Sequence, residues 1–435
     1  MRILLVSTYD LGRQPFGLAS PAAWLTREGH DVVCADVSIQ RLPDEQIQAA
    51  ELIAFYLPMH TATRLALPLI ERVKRLNRHA RIAAYGLYAP LNAAFLRGRG
   101  VDAIIGGEFE AGLVEFARGG NPPEISLDRQ TFLPPERSNL PTLDRYAKLR
   151  VNGTQHLVAY TESSRGCKHL CRHCPVVPVY QGTFRVVSRE VVLDDLRRQV
   201  AAGASHVTFG DPDFFNGPKH AMQIVTALHA EFPQLTYDVT IKIEHLRKHR
   251  DLLKCLKQTG CLFVTSAVES IDDAVLAKLE KHHTRSDFFE VAGFVREIGL
   301  TLSPTFIAFT PWTSLDGYRD LLRTIADLNL VENVAPVQLA LRLLVTSGSR
   351  LLELDEIRRA IQGFDSEALV YPWNHPDPEV DRLADRVFQL VNPQKGGSRA
   401  EIFRHIWELA CKSPAPNYNL IPRAAIPYLD EPWYC

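Results

Sequence analysis

This sequence lacks the features that mark membrane proteins, disulfide-built secreted domains and nucleic-acid-binding proteins. Eight cysteines among 435 residues are far fewer than a disulfide scaffold uses. No apolar run approaches the ~20 residues that cross a bilayer. The formal net charge is −1, so the chain has no strong basic field to attract phosphate groups. These absences predict a cytoplasmic protein with neither a membrane nor a nucleic-acid partner.

The chain is too long for a single hydrophobic core, so we expect several domains. Its N-terminus, MRILLVSTYDLG, has a short apolar run without the cleavage-site pattern of a signal peptide, which predicts a first strand. From there to residue 120, short apolar runs alternate with helical stretches. This alternation predicts an α/β fold whose N-terminal domain, residues 1–120, is a doubly wound, Rossmann-like parallel sheet.

Beyond residue 120 the pattern changes twice. Residues 121–155 are rich in proline and polar residues, which predicts a linker. Six further strand–helix units over residues 156–350 predict a partial (β/α)6 barrel, because a full eight-unit barrel typically takes ~250 residues. The remaining residues, 351–435, predict a C-terminal helical region and a tail.

The densest group of candidate ligands is SSRGCKHLCRHCP, directly after the first predicted barrel strand. Its residues Cys167, Cys171 and Cys174 are spaced to converge on one metal ion or cluster from a single loop. Three thiolates leave a tetrahedral or cubane site one ligand short, as catalysis requires. The alternative is a closed zinc site that recruits His169 or His173. A disulfide switch is disfavoured, because three cysteines make a poor redox pair.

On this motif and its place in the barrel, the chain resembles the radical S-adenosylmethionine (SAM) superfamily. The resemblance implies that Cys167, Cys171 and Cys174 bind a 4Fe–4S cluster whose fourth iron is chelated by SAM. It also implies reductive cleavage of SAM, with electrons from a partner such as flavodoxin or ferredoxin. One departure is His173, since the family usually has an aromatic residue directly before the last cysteine.

The same resemblance assigns candidate SAM contacts to the ends of the other barrel strands. The turn FGDPDFFN stands where the family has a Gly-Gly-Glu-like turn for the SAM amino group, and TSAVES resembles the family's Glu-Ser pair. The other candidates are polar residues of the remaining predicted strands. In chain order, the predicted cofactor-binding residues are Gly210, Asp211, Asp213, Lys242, Glu244, Glu269, Ser270, Ser303, Gln338 and Arg342.

The N-terminal domain, the linker and the barrel together resemble the class of this superfamily that has a cobalamin-binding domain. IIGGEFE looks like a Gly-rich turn of that class, and LPTLDRY looks like its linker. The resemblance implies cobalamin as a third cofactor. The motif with a lower-axial histidine is absent, however. Tyr85, Leu87 and Tyr88 stand where members have small residues, so they either line the corrin space or fill it.

We therefore expect a transferase. The leading hypothesis is cobalamin-type methyl or alkyl transfer to a small molecule, or another radical modification of it. Aminocarboxypropyl transfer from SAM without cobalamin is the enzymatic alternative, and a zinc- or cluster-stabilised scaffold is the non-enzymatic one. The terminal Cys435 is the candidate catalytic residue: it would bind the open iron, bind substrate or donate a hydrogen atom.

Overall fold

The structure is a computed structural model that describes residues 1–391, 397–416 and 421–430. Strands and helices alternate in its N-terminal part. Short apolar runs form the strands because both faces of the sheet are covered and neither needs to be polar. The elements are β1 (Arg2–Ser7), α1 (Phe16–Arg27), β2 (Asp31–Asp36), α2 (Asp44–Ala49), β3 (Leu52–Tyr56), α3 (His60–Leu76), β4 (Arg81–Tyr85), α4 (Tyr88–Leu91), α5 (Ala93–Gly98), β5 (Ala103–Gly107), α6 (Phe109–Ala117) and β6 (Ile125–Ser126).

These six strands form one parallel sheet in the order β2-β1-β3-β4-β5-β6. The strand order reverses between β1 and β3, as in doubly wound folds, which bind ligands beyond the carboxyl ends of the strands at such a point. Asp10 follows β1 and Met59 follows β3 at this edge. Between β6 and the next strand, residues 127–147 contain one 3-10 turn, Leu143–Arg145, and no other helix or strand.

The second part of the chain is a curved sheet surrounded by helices. Its strands and helices again alternate along the chain. The elements are β7 (Lys148–Val151), β8 (Thr154–Thr161), β9 (Ser164–Gly166), α7 (Val176–Tyr180), β10 (Phe184–Val186), α8 (Arg189–Ala201), β11 (His206–Phe209), α9 (Pro218–Glu231), β12 (Thr236–Thr240), α10 (Ile243–Lys248), α11 (Arg250–Gln258), β13 (Cys261–Glu269), α12 (Asp273–Lys278), α13 (Arg285–Glu297), β14 (Thr301–Phe306) and α14 (Leu315–Asp327).

The strands β8, β11, β12, β13 and β14 are parallel neighbours in that order, which makes a half-barrel. The predicted sixth strand is reduced to one parallel bridge between Phe309 and Arg342. Pro336 has no N–H to donate to a ladder, and residues Pro336–Leu339 form a 3-10 turn instead. The predicted fold class is confirmed, with this shortening at the end of the barrel.

The C-terminal region completes the barrel's core and extends its sheet. It contains α15 (Asp355–Ala360), α16 (Pro378–Leu390), α17 (Arg399–Cys411) and β15 (Tyr428–Leu429), which pairs antiparallel with β7. The apolar side chains of α17, such as Phe403, Ile406 and Trp407, pack into the same core as the barrel helices. In the described part of the chain, no helix is both long and apolar enough to cross a membrane.

Candidate active site

Three cysteine side chains lie in the loop between β9 and α7. Cys167 and Cys171 are buried, and the backbone N–H of Cys174 donates to the Cys171 carbonyl at 3.1 Å. Burial, together with the neighbouring Cys171 and Cys167, raises the pKa of the Cys174 thiol to about 12. Buried thiols this close together become thiolates when a metal or cluster offsets their charge. The loop therefore fits the cluster that the sequence predicts.

A lysine and an asparagine support this loop from the barrel side. Lys242, which follows β12 and is buried, places its Nζ 3.7 Å from Cys171 Sγ. Asn216 Oδ1 accepts the backbone N–H of Lys168 at 3.2 Å and lies 3.7 Å from Cys167 Sγ. The structure thus places Lys242, a predicted cofactor contact, against a predicted cluster ligand.

Glu269, at the end of β13, contacts the cysteine loop. His173 Nε2 donates to Glu269 Oε1 at 3.1 Å, and Lys281 Nζ lies 3.5 Å from the same oxygen. Burial raises the pKa of Glu269, but Lys281 and His173 together outweigh burial and lower the pKa to about 2. The histidine that departs from the family pattern therefore has a carboxylate partner. Lys281 was not predicted from the sequence, where the only signal for it is the basic run KHH after α12.

The turn after β11 contacts the segment that precedes the cysteine loop and holds it in place. A Cβ on Gly210 would lie 1.9 Å from Tyr160 Oη, so a side chain does not fit there. Asp211 is buried and accepts hydrogen bonds from Ser163 Oγ at 2.7 Å and Ser164 Oγ at 2.5 Å. The position of Asp211 is therefore fixed by the two serines that precede the cysteine loop.

Asp213 and Glu244 lie together with two histidines, and Glu244 Oε2 is also 3.5 Å from Nζ of Lys242, another predicted SAM contact. Asp213 Oδ2 is 2.7 Å from His245 Nδ1 and 3.7 Å from His169 Nε2. Glu244 Oε2 is 3.5 Å from His169 Nδ1. Burial, with help from Lys242 and His245, lowers the pKa of His169 to about 3, so its ring is neutral. His169 therefore faces carboxylates, and sequence reasoning gave no indication of His245.

A polar cavity of about 340 Å³ lies inside the barrel. Ser303 of β14 and Gln338, both predicted cofactor contacts, line it together with Gly210 and Asp211. Gln338 Oε1 also accepts the backbone N–H of Phe306 at 3.1 Å, which fixes its orientation. The structure therefore brings four of the predicted residues to one space. β12 contributes the polar side chains of Asp238 and Thr240, β13 contributes Thr265, and β14 also contributes Thr305.

The remaining predicted residues lie elsewhere. Arg342 Nη1 is 2.8 Å from Asp381 Oδ1, and its Nη2 donates to the Trp373 carbonyl at 3.0 Å, so its charge is offset by the C-terminal region. Ser270 Oγ accepts the backbone N–H of Asp272 at 3.1 Å, just before α12. Cys435 lies outside the described residues.

A second cavity, of about 200 Å³, lies between the carboxyl edge of the N-terminal sheet and the barrel. Gly166 and Val176, which flank the cysteine loop, line it together with Asp10 and Glu162, and Gly210 lines both cavities. Burial raises the pKa of Asp10 to about 7 and also raises the pKa of Glu162. The space next to the cysteine loop thus holds a carboxyl group, that of Asp10, suited to proton transfer near neutral pH.

Arg165 of β9 connects the two domains at this cavity. Its guanidinium is buried, 2.7 Å from Glu110, 2.7 Å from Glu162 and 3.7 Å from Glu108. Burial raises the pKa of Glu108 to about 7, although Arg165 opposes the rise. The positive charge of Arg165 therefore offsets the negative charge of carboxylates from both domains.

A corrin bound to a doubly wound sheet would have to lie in this same cavity. Tyr56, Leu87 and Tyr180 line it. Its volume of about 200 Å³ is below the ~300–1,000 Å³ of pockets for drug-sized ligands. Tyr85 and Tyr88 are buried in the cores on the two faces of the sheet. Of the three bulky residues noted in the sequence, Leu87 therefore lines this cavity, whereas Tyr85 and Tyr88 pack in the two cores.

Comparison with known proteins identifies the barrel. Residues 161–324 match the radical SAM superfamily. The chain is 28% identical over 330 residues to the hopanoid C-3 methylase of Methylococcus capsulatus, over 71% of this chain and 64% of the methylase. The chain therefore contains a radical SAM domain, as its cysteine motif predicts, and it spans less than two thirds of this curated relative.

The whole fold is shared with cobalamin-dependent radical SAM enzymes. OxsB with aqua-cobalamin and SAM bound has a TM-score of 0.67 at 14% identity, over 89% of this chain and 66% of OxsB. TsrM from Kitasatospora setae, with tryptophan and a SAM analogue bound, has a TM-score of 0.67 at 14% identity, over 91% of this chain and 89% of TsrM. Another TsrM structure holds cobalamin and a [4Fe–4S] cluster. These likenesses confirm the predicted resemblance in fold to the class with an N-terminal cobalamin-binding domain.

Proposed function

We propose that this chain is a radical SAM transferase that modifies a small molecule held between the N-terminal sheet and the barrel. The position of the cysteine loop carries the proposal. Gly166 and Val176, on either side of that loop, line the cavity between the two domains. A reaction that starts at the loop would therefore act on a substrate bound in the adjacent cavity, inside the protein. The transferase class is supported by the similarity to a methylase.

The cysteine loop and the barrel cavity would hold the two groups that the superfamily implies. Cys167, Cys171 and Cys174 would bind a 4Fe–4S cluster, and the barrel cavity beside Gly210 would bind SAM. When bound, these groups supply one-electron cleavage of a carbon–sulfur bond, with electrons from an outside reductant such as flavodoxin or ferredoxin. Lys242 stabilises the negative charge of the Cys171 thiolate across 3.7 Å.

Asp10 is the side chain best suited to exchange a proton with a substrate in the interdomain cavity. It lines the cavity, and burial raises its pKa to about 7, so both of its protonation states are accessible at neutral pH. Glu162 lines the same space, but its carboxylate accepts a hydrogen bond from Arg165 Nε at 2.7 Å and is held there. We assign the proton exchange to Asp10.

The proposal is tested on anaerobically purified protein reconstituted with iron and sulfide. The protein would be incubated with SAM and dithionite, and the products would be measured by mass spectrometry. We expect cleavage of SAM by the wild type and none by the triple variant Cys167→Ala, Cys171→Ala, Cys174→Ala. Cys255→Ala, which removes a half-buried cysteine of α11, is the matched control and should keep the activity. Bound zinc with no cleavage of SAM by the wild type would contradict the proposal.

Two kinds of group transfer are distinguished by the same experiment. Cobalamin-type methyl or alkyl transfer, suggested by the shared fold, would require bound hydroxocobalamin and would yield S-adenosylhomocysteine or 5′-deoxyadenosine. We derive no step through cobalamin. Aminocarboxypropyl transfer, which needs only SAM and the cluster, is the second candidate. Its marker is methylthioadenosine.

A further inference from the structure

We infer that the chain has a second metal site, for one Zn²⁺ ion, beside the cysteine loop. Its ligands are His169 Nε2, Asp213 Oδ2 and His245 Nδ1. These atoms come from the cysteine loop, from the turn after β11 and from α10, and all lie within 4.8 Å of one another. None of the three is a cluster cysteine, so zinc binding itself is independent of the proposed function, and only the expected effect on the cluster rests on it.

The three ligand atoms are buried and lack hydrogen bonds within the part of the chain that the structure describes. His245 Nδ1 and Asp213 Oδ2 are 2.7 Å apart, yet neither makes a hydrogen bond of acceptable geometry. Buried polar atoms without a partner are rare in folded proteins, because each costs the free energy of its lost hydration. One cation shared among the three atoms would satisfy all of them.

Two of the three side chains have a further contact that would help to orient them as ligands. Asp213 Oδ1 accepts the backbone N–H of Phe215 at 3.1 Å, which leaves Oδ2 for the ion. Glu244 Oε2 lies 3.5 Å from His169 Nδ1, the ring nitrogen that does not face Asp213. A carboxylate behind a metal-binding histidine fixes the ring and its tautomer, as in many zinc sites.

Two imidazoles and one carboxylate, with one position left for water, form a ligand set that catalytic Zn²⁺ sites use. The ion would join the cysteine loop to two segments of the barrel. The same turn that supplies Asp213 also supplies Asn216, which accepts the backbone N–H of Lys168 at 3.2 Å. We therefore expect the ion to hold the cysteine loop in place and to slow loss of the cluster to chelators.

The test uses the anaerobic, cluster-loaded full chain and measures its metals by mass spectrometry. We expect one zinc per chain beside the iron of the cluster. His245→Gln and, as a second variant, His169→Gln should lose the zinc. Glu244→Gln should weaken zinc binding about 10–100-fold, as loss of a supporting carboxylate does elsewhere. His249→Gln is the matched control, since the His249 ring lies 5.8 Å from that of His245 and outside the ligand set.

X-ray absorption at the zinc edge identifies the ligands. The proposal predicts nitrogen and oxygen neighbours at about 2.0–2.1 Å and no sulfur at about 2.3 Å. A sulfur shell would place the zinc on the cysteines and overturn the proposal. The absence of zinc from the wild type, together with no binding of added Zn²⁺, would also overturn it. Equal zinc loss in His249→Gln and His245→Gln would do the same.

Discussion

Burial changes the chemistry of single side chains at the domain boundary, and Asp10 is the clearest case. The sequence places Asp10 directly after the first strand, at the edge where doubly wound folds bind ligands. Its titration near neutral pH could not be read from the sequence, because the burial comes from the barrel and from Tyr56 and Tyr160, which line the same cavity.

The raised pKa of Asp10 makes folding stability depend on pH. Between the ordinary value of 3.8 and about 7, the folded protein binds more protons than the unfolded chain, so stability falls as pH rises. Asp10→Asn should flatten this dependence, which denaturant unfolding at about pH 5 and about pH 8 would measure. Asp385→Asn, an exposed change on α16, should leave the slope as in the wild type. An unchanged slope in Asp10→Asn would contradict the assignment.

Glu269 shows the opposite shift, with a pKa lowered to about 2. The ionised Glu269 carboxylate stabilises the folded protein fully above pH 4.5, the pKa of this group in the unfolded chain. This stabilisation is lost as the pH falls toward 2. At neutral pH, Glu269→Gln would leave Lys281 buried without its counter-charge. We expect a loss of about 3–5 kcal/mol in the free energy of unfolding, measured with denaturant.

A matched control for Glu269→Gln is Glu353→Gln. Glu353 pairs with Arg350 at 3.0 Å, but its side chain is 52% exposed, so we expect a change of at most about 1 kcal/mol. Equal losses in the two variants would show that Glu269 is not a buried ion-pair partner.

Gly210 tests the packing of the turn after β11. Gly210→Ala would bring a Cβ against the Tyr160 hydroxyl, so we expect a loss of about 1–3 kcal/mol from overpacking. Gly293→Ala is the control, since Gly293 lies in α13 with open space around it, and alanine there should stabilise the helix by up to about 1 kcal/mol. Thermal unfolding of both variants would compare them, and a neutral Gly210→Ala would contradict the close contact.

At the scale of elements, β9 and the start of α6 hold the two domains together. Arg165 of β9 reaches Glu110 of α6 and Glu162 beside β9. Arg165→Met would leave these carboxylates buried without a cation, and we expect a loss of about 3–5 kcal/mol in denaturant unfolding. Arg197→Met removes an exposed pair with Glu231 and should cost at most about 1 kcal/mol. Similar losses of unfolding free energy in Arg165→Met and Arg197→Met would show that Arg165 is not the main contact between the two domains.

Elements governed by local pattern were predictable from the sequence, and elements governed by distant contacts were not. The cysteine loop was found because its three thiols lie within eight residues and follow a strand. The grouping of His169, Asp213 and His245 was missed because it needs the register of three barrel segments. Arg342 was expected to face a ligand, but its partner Asp381 lies on α16, which the strand pattern does not reveal.

At the scale of the whole molecule, Gly210 lines both cavities, so the space beside the cysteine loop lies next to the cavity inside the barrel. The fold predicts this arrangement, because the carboxyl ends of both sheets carry their ligand-binding residues. The volume between the domains was not predictable, since it depends on how Tyr56 and Tyr180 pack at the edge.

We expect Cys167, Cys171 and Cys174 to hold an iron–sulfur cluster with one iron open to SAM. Mössbauer spectroscopy of the protein reconstituted with ⁵⁷Fe, recorded with and without SAM, would test this expectation. We predict a 4Fe–4S spectrum in which one iron of the four changes when SAM is added. A spectrum that SAM leaves unchanged, or a protein that binds no iron through these cysteines, would contradict it.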